Sequence, residues 1–287
     1  MNLYKNLLFL MFLFLLSACK MQDTSTMFSG ENAYEHIKAQ LDFGPRIPGS
    51  EGIENTADYI KSTLESNGWD VSFQDFIFMD VPVRNIIAKK GSGSQLIMLG
   101  THYDTRSVSD QDADIGLRDQ PVPGANDGGS GTAVLLELGR VLEVPLEKEV
   151  WLLFFDAEDQ GHLNGWQWSI GADYFVMNLQ DQPDKVVIID MIGDEDLNVY
   201  QEMNSSSALT NEIWESVTEL GLQTQFIPEE KYAMTDDHLP FINQGYQAAL
   251  LIDFDYPAWH TTGDTIDKVS PESLKMMGDI LLHWLTQ

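Results

Sequence analysis

The sequence is poor in cysteine and in positive charge. Of its 287 residues one is cysteine, and 16 are Lys or Arg against 45 Asp or Glu, so the formal net charge is −29. A single cysteine leaves no pair for an internal disulfide. Nucleic-acid binding through phosphate neutralisation requires a cationic patch, so the acidic balance excludes that class of partner. Intrinsic disorder is excluded too, because 43% of the residues are hydrophobic and 10% aromatic, enough for a large core.

The apolar run at the N-terminus is too short to span a bilayer. It covers residues 7–16, follows Lys5, and leads into the small residues Ser17 and Ala18. A positive start, a short apolar stretch and small residues before a cleavage point are typical of a secretory signal peptide. The sequence therefore predicts that the protein is exported.

The residues at the end of this run predict a lipid anchor. Leu16-Ser17-Ala18-Cys19 resembles a bacterial lipobox, in which the cysteine becomes the lipidated first residue of the mature chain. We expect a lipoprotein signal peptide over 1–18, lipidation of Cys19 and a tether over 19–29. The anchor would be the protein's only membrane contact, on the periplasmic or cell-surface side of a bacterial membrane. An ordinary secreted protein cleaved nearby is the alternative.

Short apolar segments alternate with helical patterns along the rest of the chain. The apolar segments contain Val, Ile, Leu and Phe without polar alternation, which is typical of strands covered on both faces. They lie at 96–99, 150–155, 186–189 and 248–252. The helical patterns lie at 30–43, 52–67, 130–142, 168–179, 209–220 and 271–285. This order predicts a single α/β domain over 30–287, with a mostly parallel central sheet flanked by helices on both faces.

Potential metal ligands follow the predicted strands. In open α/β sheets, ligands bind beyond the carboxyl ends of the strands, so residues that follow different strands can converge there. A glycine-rich turn at 124–130 adds an aspartate just before a helix. The five potential ligands are His102, Asp127, Asp159, Asp190 and His260. Imidazoles mixed with carboxylates suit zinc, and fewer than four protein ligands per metal leave a position for substrate.

The ordered set of motifs resembles the zinc-dependent M28 metallopeptidase clan. The motifs are His102-x-Asp104, Gly-Ala-x-Asp127, Asp-Ala-Glu158-Asp159, Asp190, Asp236-Asp-His-x-Pro-Phe and Trp259-His260-Thr, preceded by Phe-Gly-Pro-Arg-Ile-Pro-Gly at 43–49. The clan contains both aminopeptidases and glutaminyl cyclases. The resemblance implies the α/β sandwich fold of the zinc aminopeptidases over residues 30–287.

The resemblance also implies roles for these side chains. The zinc shared by both branches would be held by Asp127, Asp159 and His260. Glu158 would be the general acid and base, and Asp104 would orient His102. In an aminopeptidase His102 and Asp190 would bind a second zinc, whereas in a cyclase they would line the pocket and one zinc would suffice.

Three features resemble the cyclase branch. Asp236 precedes the Asp-His pair where the peptidases more often have Ser, and in cyclases an acid there joins a hydrogen-bond chain with Glu158 and Asp190. Trp259 precedes the last ligand where peptidases commonly carry Tyr, and it could wall a pocket for a glutaminyl side chain. Asp159 is a common zinc ligand in bacterial cyclases.

Other features leave the branch open. The segment 261–265 also resembles the peptidase sequence that follows the last ligand, and Asp at 159 also occurs in some peptidase relatives. Trp168 follows the Gly/Asn-rich loop after the base and could touch substrate. The long acidic loop at 107–126 is of a kind that is usually functional or mobile.

The favoured function is a monomeric zinc-dependent glutaminyl-peptide cyclotransferase. It would convert an N-terminal glutamine of peptides or proteins to pyroglutamate and release ammonia. A two-zinc aminopeptidase that hydrolyses the first peptide bond is the alternative. A lipoprotein that binds peptides without catalysis is a second alternative, and the retention of Glu158 beside a full ligand set opposes it.

Overall fold

A six-stranded sheet forms the middle layer of the protein. The computed structural model describes residues 27–287, so the predicted signal peptide (1–18) and Cys19 lie outside the described residues. The helices are α1 (Gly30–Asp42), α2 (Glu51–Ser66), α3 (Gly129–Val141), α4 (Ile170–Asn178), α5 (Ser207–Leu220), α6 (His238–Asn243) and α7 (Pro271–Thr286). The strands are β1 (Asp70–Phe78), β2 (Val81–Gly91), β3 (Gln95–His102), β4 (Lys148–Phe155), β5 (Lys185–Asp190), β6 (Val199–Gln201), β7 (Phe226–Glu230) and β8 (Ala248–Ile252).

The centre of the sheet is parallel and one edge is antiparallel. The strand order is β1-β2-β4-β3-β5-β8, and β6 pairs with β7 in a separate two-stranded sheet. Strand β3 runs parallel to β4 and β5, and β8 runs parallel to β5. Strands β1 and β2 form an antiparallel hairpin that also pairs antiparallel with β4. The predicted α/β domain is confirmed, and the hairpin is an addition that the sequence patterns did not predict.

Alternate residues of the central strands pack into two different cores. In β3, Ile97 and Leu99 belong to the core that contains residues of α1, α2, α3, α5 and α7. Met98 belongs to the other core, which contains residues of α4 and α6. Successive side chains of a strand point to opposite faces, so a strand covered on both faces is apolar throughout. This explains the apolar segments of the sequence and confirms helices on both faces.

Local sequence signals fix the ends of the helices. Ser270 accepts hydrogen bonds from the backbone N–H groups of Glu272 and Ser273, and Pro271 occupies the first turn of α7. Ser50 caps α2 in the same way through Ile53 N. Such caps satisfy N–H groups that have no partner inside the helix, and each contributes about 1 kcal/mol.

The folded domain begins within the expected tether. Phe28 is buried, and Ser29 caps α1 while its N–H donates to Glu137 Oε1 at 2.9 Å. A Cβ built on Gly278 of α7 would lie 2.3 Å from the Phe28 ring, so the ring packs directly on that helix. No helix of residues 27–287 combines the length and the apolar character needed to cross a bilayer.

Candidate active site

Four parallel strands deliver the site residues to one edge of the sheet. Strand β3 ends at His102 and β5 ends at Asp190, while Glu158 and Asp159 follow β4 and His260 follows β8. Because these strands are parallel, their carboxyl ends lie side by side. The structure therefore brings together residues that are up to 158 positions apart in the sequence, counted from His102 to His260.

The backbone is tightly turned where it presents these side chains. Ala157, Met191 and His260 have positive φ angles of 60°, 45° and 54°. A positive φ is uncommon outside glycine and costs on the order of 1 kcal/mol or more per residue, so it clusters where function demands it. Here each such residue is a site residue or directly adjoins one.

The glycine-rich turn places Asp127 close to β3. Gly128 has φ +73°, and a Cβ at this position would lie 2.4 Å from the carbonyl oxygen of Asp104. At Gly131, in the first turn of α3, a Cβ would lie 2.1 Å from Thr101 Oγ1. Only glycine permits this approach of helix to strand, and the approach puts Asp127 within reach of His102.

Two groups of buried side chains could each hold a metal ion. The first is Asp127, Asp159 and His260, and the second is His102, Asp127 and Asp190. The ligand atoms of each group lie within 4.8 Å of one another, and Asp127 belongs to both. These are the five side chains predicted from the sequence.

Distances in the first group lie on either side of the ligand spacing of a tetrahedral zinc ion. His260 Nε2 lies 2.8 Å from Asp159 Oδ1 and 3.7 Å from Asp127 Oδ2. Ligand atoms bound to one tetrahedral zinc are separated by about 3.4 Å, given zinc–ligand bonds of about 2.0–2.2 Å. In addition, Asp127 Oδ2 and Asp159 Oδ2 are buried with no hydrogen-bond partner in residues 27–287. Buried carboxylate oxygens without donors are costly unless a cation binds them, so this donor set suits a metal.

In the second group His102 lies between three carboxylates. Its Nε2 is 3.0 Å from Asp190 Oδ1 and 3.2 Å from Asp127 Oδ1, and its Nδ1 faces Asp104 Oδ1 at 3.5 Å. Burial lowers the pKa of His102, but Asp190, Asp104 and Asp127 outweigh that effect and raise it well above its ordinary value. These carboxylates favour the protonated imidazole, and a metal bound at His102 would have to displace that proton.

Asp104 also holds the loop that carries the proposed base. Its two carboxylate oxygens accept hydrogen bonds from the backbone N–H groups of Glu158 at 3.0 Å and Asp159 at 3.2 Å. The same residue thus contacts His102 of one metal group and the loop that carries Asp159 of the other.

Glu158 and Asp236 line one open cavity of about 180 Å³. Burial raises the pKa of Glu158 well above its ordinary value; the charge of His102 lowers it and those of Asp236 and Asp237 raise it further. Burial, together with the charge of Asp190, raises the pKa of Asp236 to about 7. The hydrogen-bond chain expected between these side chains is not formed among residues 27–287, so their coupling is electrostatic. Glu158 Oε1 instead accepts from Ser169 Oγ at 3.4 Å.

Aromatic rings form the walls of this cavity. Trp259 stacks on the His260 ring with 3.8 Å between centroids, and Trp168 lies at 5.9 Å from the same ring. Phe254 meets Trp259 edge-on at 5.1 Å. Trp168 was expected to begin a helix, but α4 starts two residues later at Ile170, and this leaves Trp168 in the loop where it faces the cavity.

A larger cavity of about 290 Å³ lies between α2 and the β1–β2 hairpin. Tyr103 and Asp156 contribute to its lining, but neither metal group does. Of these two cavities, the smaller one therefore combines a buried glutamate, a metal donor set and aromatic walls.

Three charged residues of the site were missed in the sequence. Asp264 accepts from the backbone N–H groups of Asn126 and Asp127, at 2.9 and 3.1 Å, and joins the two ligand-bearing loops. Arg46 is buried and donates to the carbonyl oxygen of Gly124 at 2.6 Å. Arg106 contacts the loop of Asp159. Asp264 and Arg46 lie within the conspicuous segments 261–265 and 43–49, whereas no sequence pattern marks Arg106.

Comparison with known proteins identifies the family. The model of peptidase family M28 matches residues 85–285. The chain belongs to peptidase family M28. Membership in this family supports an enzyme and opposes the alternative of a peptide-binding protein without catalysis.

Relatives of both branches resemble the chain closely. Its structure matches the crystal structure of Porphyromonas gingivalis glutaminyl cyclase with a TM-score of 0.86 and 30% identity, covering 91% of this chain and 99% of that one. A Zn-dependent exopeptidase from Parabacteroides distasonis ATCC 8503 matches with a TM-score of 0.85 and 27% identity over 91% and 99% of the two chains. Both branches thus share this backbone.

One relative with a similar sequence is an aminopeptidase. Aminopeptidase YwaD of Bacillus subtilis (strain 168) is 32% identical over 204 residues, which are 65% of this chain and 39% of that protein. The chain therefore spans well under half the length of that relative. Since overall similarity does not separate the branches, the choice between them depends on the site.

Proposed function

We propose that the protein is a zinc-dependent glutaminyl-peptide cyclotransferase that acts on peptides or proteins with N-terminal glutamine. The observation that carries the proposal is Asp236, a second buried acid that faces Glu158 across a cavity of about 180 Å³. The walls of Trp168, Phe254 and Trp259 leave room for one folded side chain beside the metal donor set. The match to a bacterial glutaminyl cyclase supports the proposal.

The donor set of Asp127, Asp159 and His260 would hold the zinc. When bound, zinc supplies Lewis-acid polarisation of the γ-carbonyl group of the substrate. His102 and Asp190 would remain without metal in this reaction, as an ion pair at the wall of the cavity.

Glu158 would move the proton. Its carboxylate takes a proton from the α-ammonium group of the substrate, and the free amine attacks the carbon of the γ-amide in the same residue. A C–N bond forms and closes a five-membered ring, the bond to the amide nitrogen breaks, and Glu158 gives its proton to that nitrogen. The ring nitrogen then loses its second proton through Glu158 to the solvent. Ammonia and a pyroglutamyl peptide are the products. The raised pKa of Glu158 suits both halves of this transfer, because the ideal value lies near the working pH.

The aromatic walls would supply the orientation. The attack is intramolecular, so its main requirement is that the glutaminyl side chain is folded back on its own amine. Trp259, fixed by its stack on His260, and Trp168 on the other side confine that side chain. In a wider pocket an extended side chain would bind without reacting.

A zinc aminopeptidase is the second candidate function. Two complete metal groups that share Asp127 are what a two-metal hydrolase needs, and the curated relative is an aminopeptidase. Glu158 would then take a proton from the attacking water, and His102 and Asp190 would bind a second zinc.

One experiment separates the two functions. Protein lacking residues 1–19 is incubated with a Gln-initiated and a Leu-initiated peptide, with and without chelator, and the masses of the products are measured. We expect chelator-sensitive loss of ammonia from the Gln peptide alone. Removal of whole N-terminal residues from either peptide would overturn the cyclase and favour the aminopeptidase. A Glu158→Gln variant that matched the wild type would overturn the assignment of the base.

We also propose that the protein is an exported monomer anchored through lipidated Cys19. The supporting observation is the sequence at residues 5–19, which lies before the described part of the chain. Expression of the full chain in a bacterium should give a membrane-bound form, and Cys19→Ala should prevent maturation and lipidation. Incorporation of a labelled fatty acid measures the difference.

A further inference from the structure

The first part of the long acidic loop is fastened to the loop that carries His260. Gln111 N donates to the carbonyl oxygen of His260 at 3.2 Å. Asp112 Oδ2 accepts from the N–H and the hydroxyl group of Thr262, at 3.1 and 2.6 Å. Asp110 Oδ1 faces His260 Nδ1 at 3.5 Å. Three consecutive residues thus hold one metal-ligand segment.

A buried arginine connects this contact to the second ligand loop. Arg106 donates two hydrogen bonds to the carboxylate of Asp110, from Nε at 2.9 Å and from Nη2 at 2.8 Å. It also donates to the carbonyl oxygens of Asp159 at 3.1 Å and Gly161 at 3.2 Å. Its guanidinium lies 5.1 Å from the ring of Trp168. A planar fork with five N–H donors can make this set of contacts, whereas a lysine ammonium cannot.

We infer that Arg106 and Asp110 are positioning residues of the metal centre. A histidine that binds metal through Nε2 carries its proton on Nδ1, and the group that accepts this proton fixes the ring and increases its basicity. Asp110 Oδ1 is the carboxylate oxygen that faces this nitrogen from outside the two metal groups. Arg106 holds Asp110 in place and orients the loop of Asp159.

Residues 106–112, which we call the brace, would hold the metal-binding side chains in position. The brace joins two ligands of the metal shared by cyclases and peptidases, so it rests on the metal centre of the proposed function and not on the choice of branch. It predicts that metal affinity depends on a residue that touches neither the metal nor the substrate. Partners of this kind typically contribute 10–100-fold to metal affinity or activity.

The test compares Asp110→Asn with Asp119→Asn. Asp110 is about one third exposed, and Asp119 is an exposed aspartate of the same loop whose side chain makes no hydrogen bond or ion pair within residues 27–287. Both substitutions remove one negative charge. Zinc affinity is measured by competition with a chromophoric chelator in the absence of substrate, and the thermal midpoint of the zinc-free proteins is recorded.

We expect Asp110→Asn to bind zinc about 10–100-fold more weakly than the wild type, while Asp119→Asn binds it equally well. Asp110→Glu, which restores the carboxylate, should recover part of the loss. Equal affinity of Asp110→Asn and wild type would overturn the inference, and so would an equal loss in Asp119→Asn. A wild-type protein that binds no zinc would overturn it as well.

Failure of the proposed function leaves a different signature. If wild-type protein binds zinc but does not cyclise the Gln peptide, the proposed cyclase function is wrong. A loss of zinc affinity in Asp110→Asn alone would still support the positioning role of the brace. If the Gln peptide is cyclised and both variants bind zinc normally, the cyclase stands and the brace is wrong.

Discussion

Buried charged groups at the two ends of the central strands differ in how well they are hydrogen-bonded. At the amino end, the buried Lys148 donates through Nζ to the carbonyl oxygens of Leu285 at 2.6 Å and Gln287 at 3.1 Å. At the carboxyl end, buried oxygens of Asp127, Asp156, Asp159 and Asp237 have no hydrogen-bond partner in residues 27–287.

This difference separates the parts of the molecule that stabilise the fold from those that perform chemistry. Satisfied polar groups at the amino end fasten α7 to the sheet. Unsatisfied carboxylates at the carboxyl end destabilise the free protein, and a cation bound by Asp127 and Asp159 would recover part of that loss. Substitutions at the two ends should therefore have opposite effects on stability and activity.

The largest expected effect is that of Glu158→Gln at the carboxyl end. We expect kcat to fall by about 10²–10⁴-fold, because general acid–base catalysis contributes that much. The free energy of unfolding should stay equal or rise, because the variant buries no carboxyl group there. Steady-state assays and denaturant titration measure the two quantities.

The matched control for this variant lies at the amino end. Glu149 Oε1 accepts from Trp151 Nε1 at 2.7 Å at the start of β4. Glu149→Gln should leave kcat unchanged. A similar loss of activity in both variants would mean that the contrast between the ends is wrong.

The next effect is that of zinc on thermal stability. A metal that binds only the folded protein stabilises it by about 2.7 kcal/mol at a free concentration of 100 times Kd. We expect zinc to raise the Tm of the wild type and chelator to lower it. Asp127→Asn removes the carboxylate charge of the residue that belongs to both metal groups, so its Tm should respond much less. Calorimetry with and without zinc provides the measurement, and an equal response in both proteins would contradict the assigned donor set.

Lys148→Met should lower the stability of the protein without lowering its activity. The variant leaves two backbone carbonyl groups near the C-terminus without their donor, at a cost of about 1–3 kcal/mol in unfolding free energy. Its kcat at 25 °C should equal that of the wild type, because Lys148 is at the opposite end of the strands from the site. A loss of activity without a loss of stability would contradict the assignment of stability to the amino end of the strands and of chemistry to the carboxyl end.

The smallest expected effect is a displaced pH profile in Asp236→Asn. The acid limb of kcat/KM reports the ionisation of the base in the free enzyme. The negative charge of Asp236 raises the pKa of Glu158, so its removal lowers that pKa and the acid limb moves to lower pH. A limb that stays in place or moves to higher pH would show that Asp236 does not influence the base.

Part of this molecule could be predicted from local sequence. The four apolar segments became β3, β4, β5 and β8, because a strand buried on both faces must be apolar at successive positions. The β1–β2 hairpin was missed, since exposed and half-buried positions are mixed in β1 and leave no clear period. The sequence pattern predicts that α4 starts at Trp168, but Ser169 has φ +59° and the helix begins only after it.

The sequence by itself determined which residues meet at the site. Ligands that follow parallel strands converge whatever the detailed packing, so His102, Asp127, Asp159, Asp190 and His260 could be found from order and residue type. Only the tertiary structure decided how they are held. Arg106 and Asp110 lie about 150 positions before His260. Local sequence patterns cannot predict contacts between such distant residues, because these contacts form only when the sheet brings the loops together.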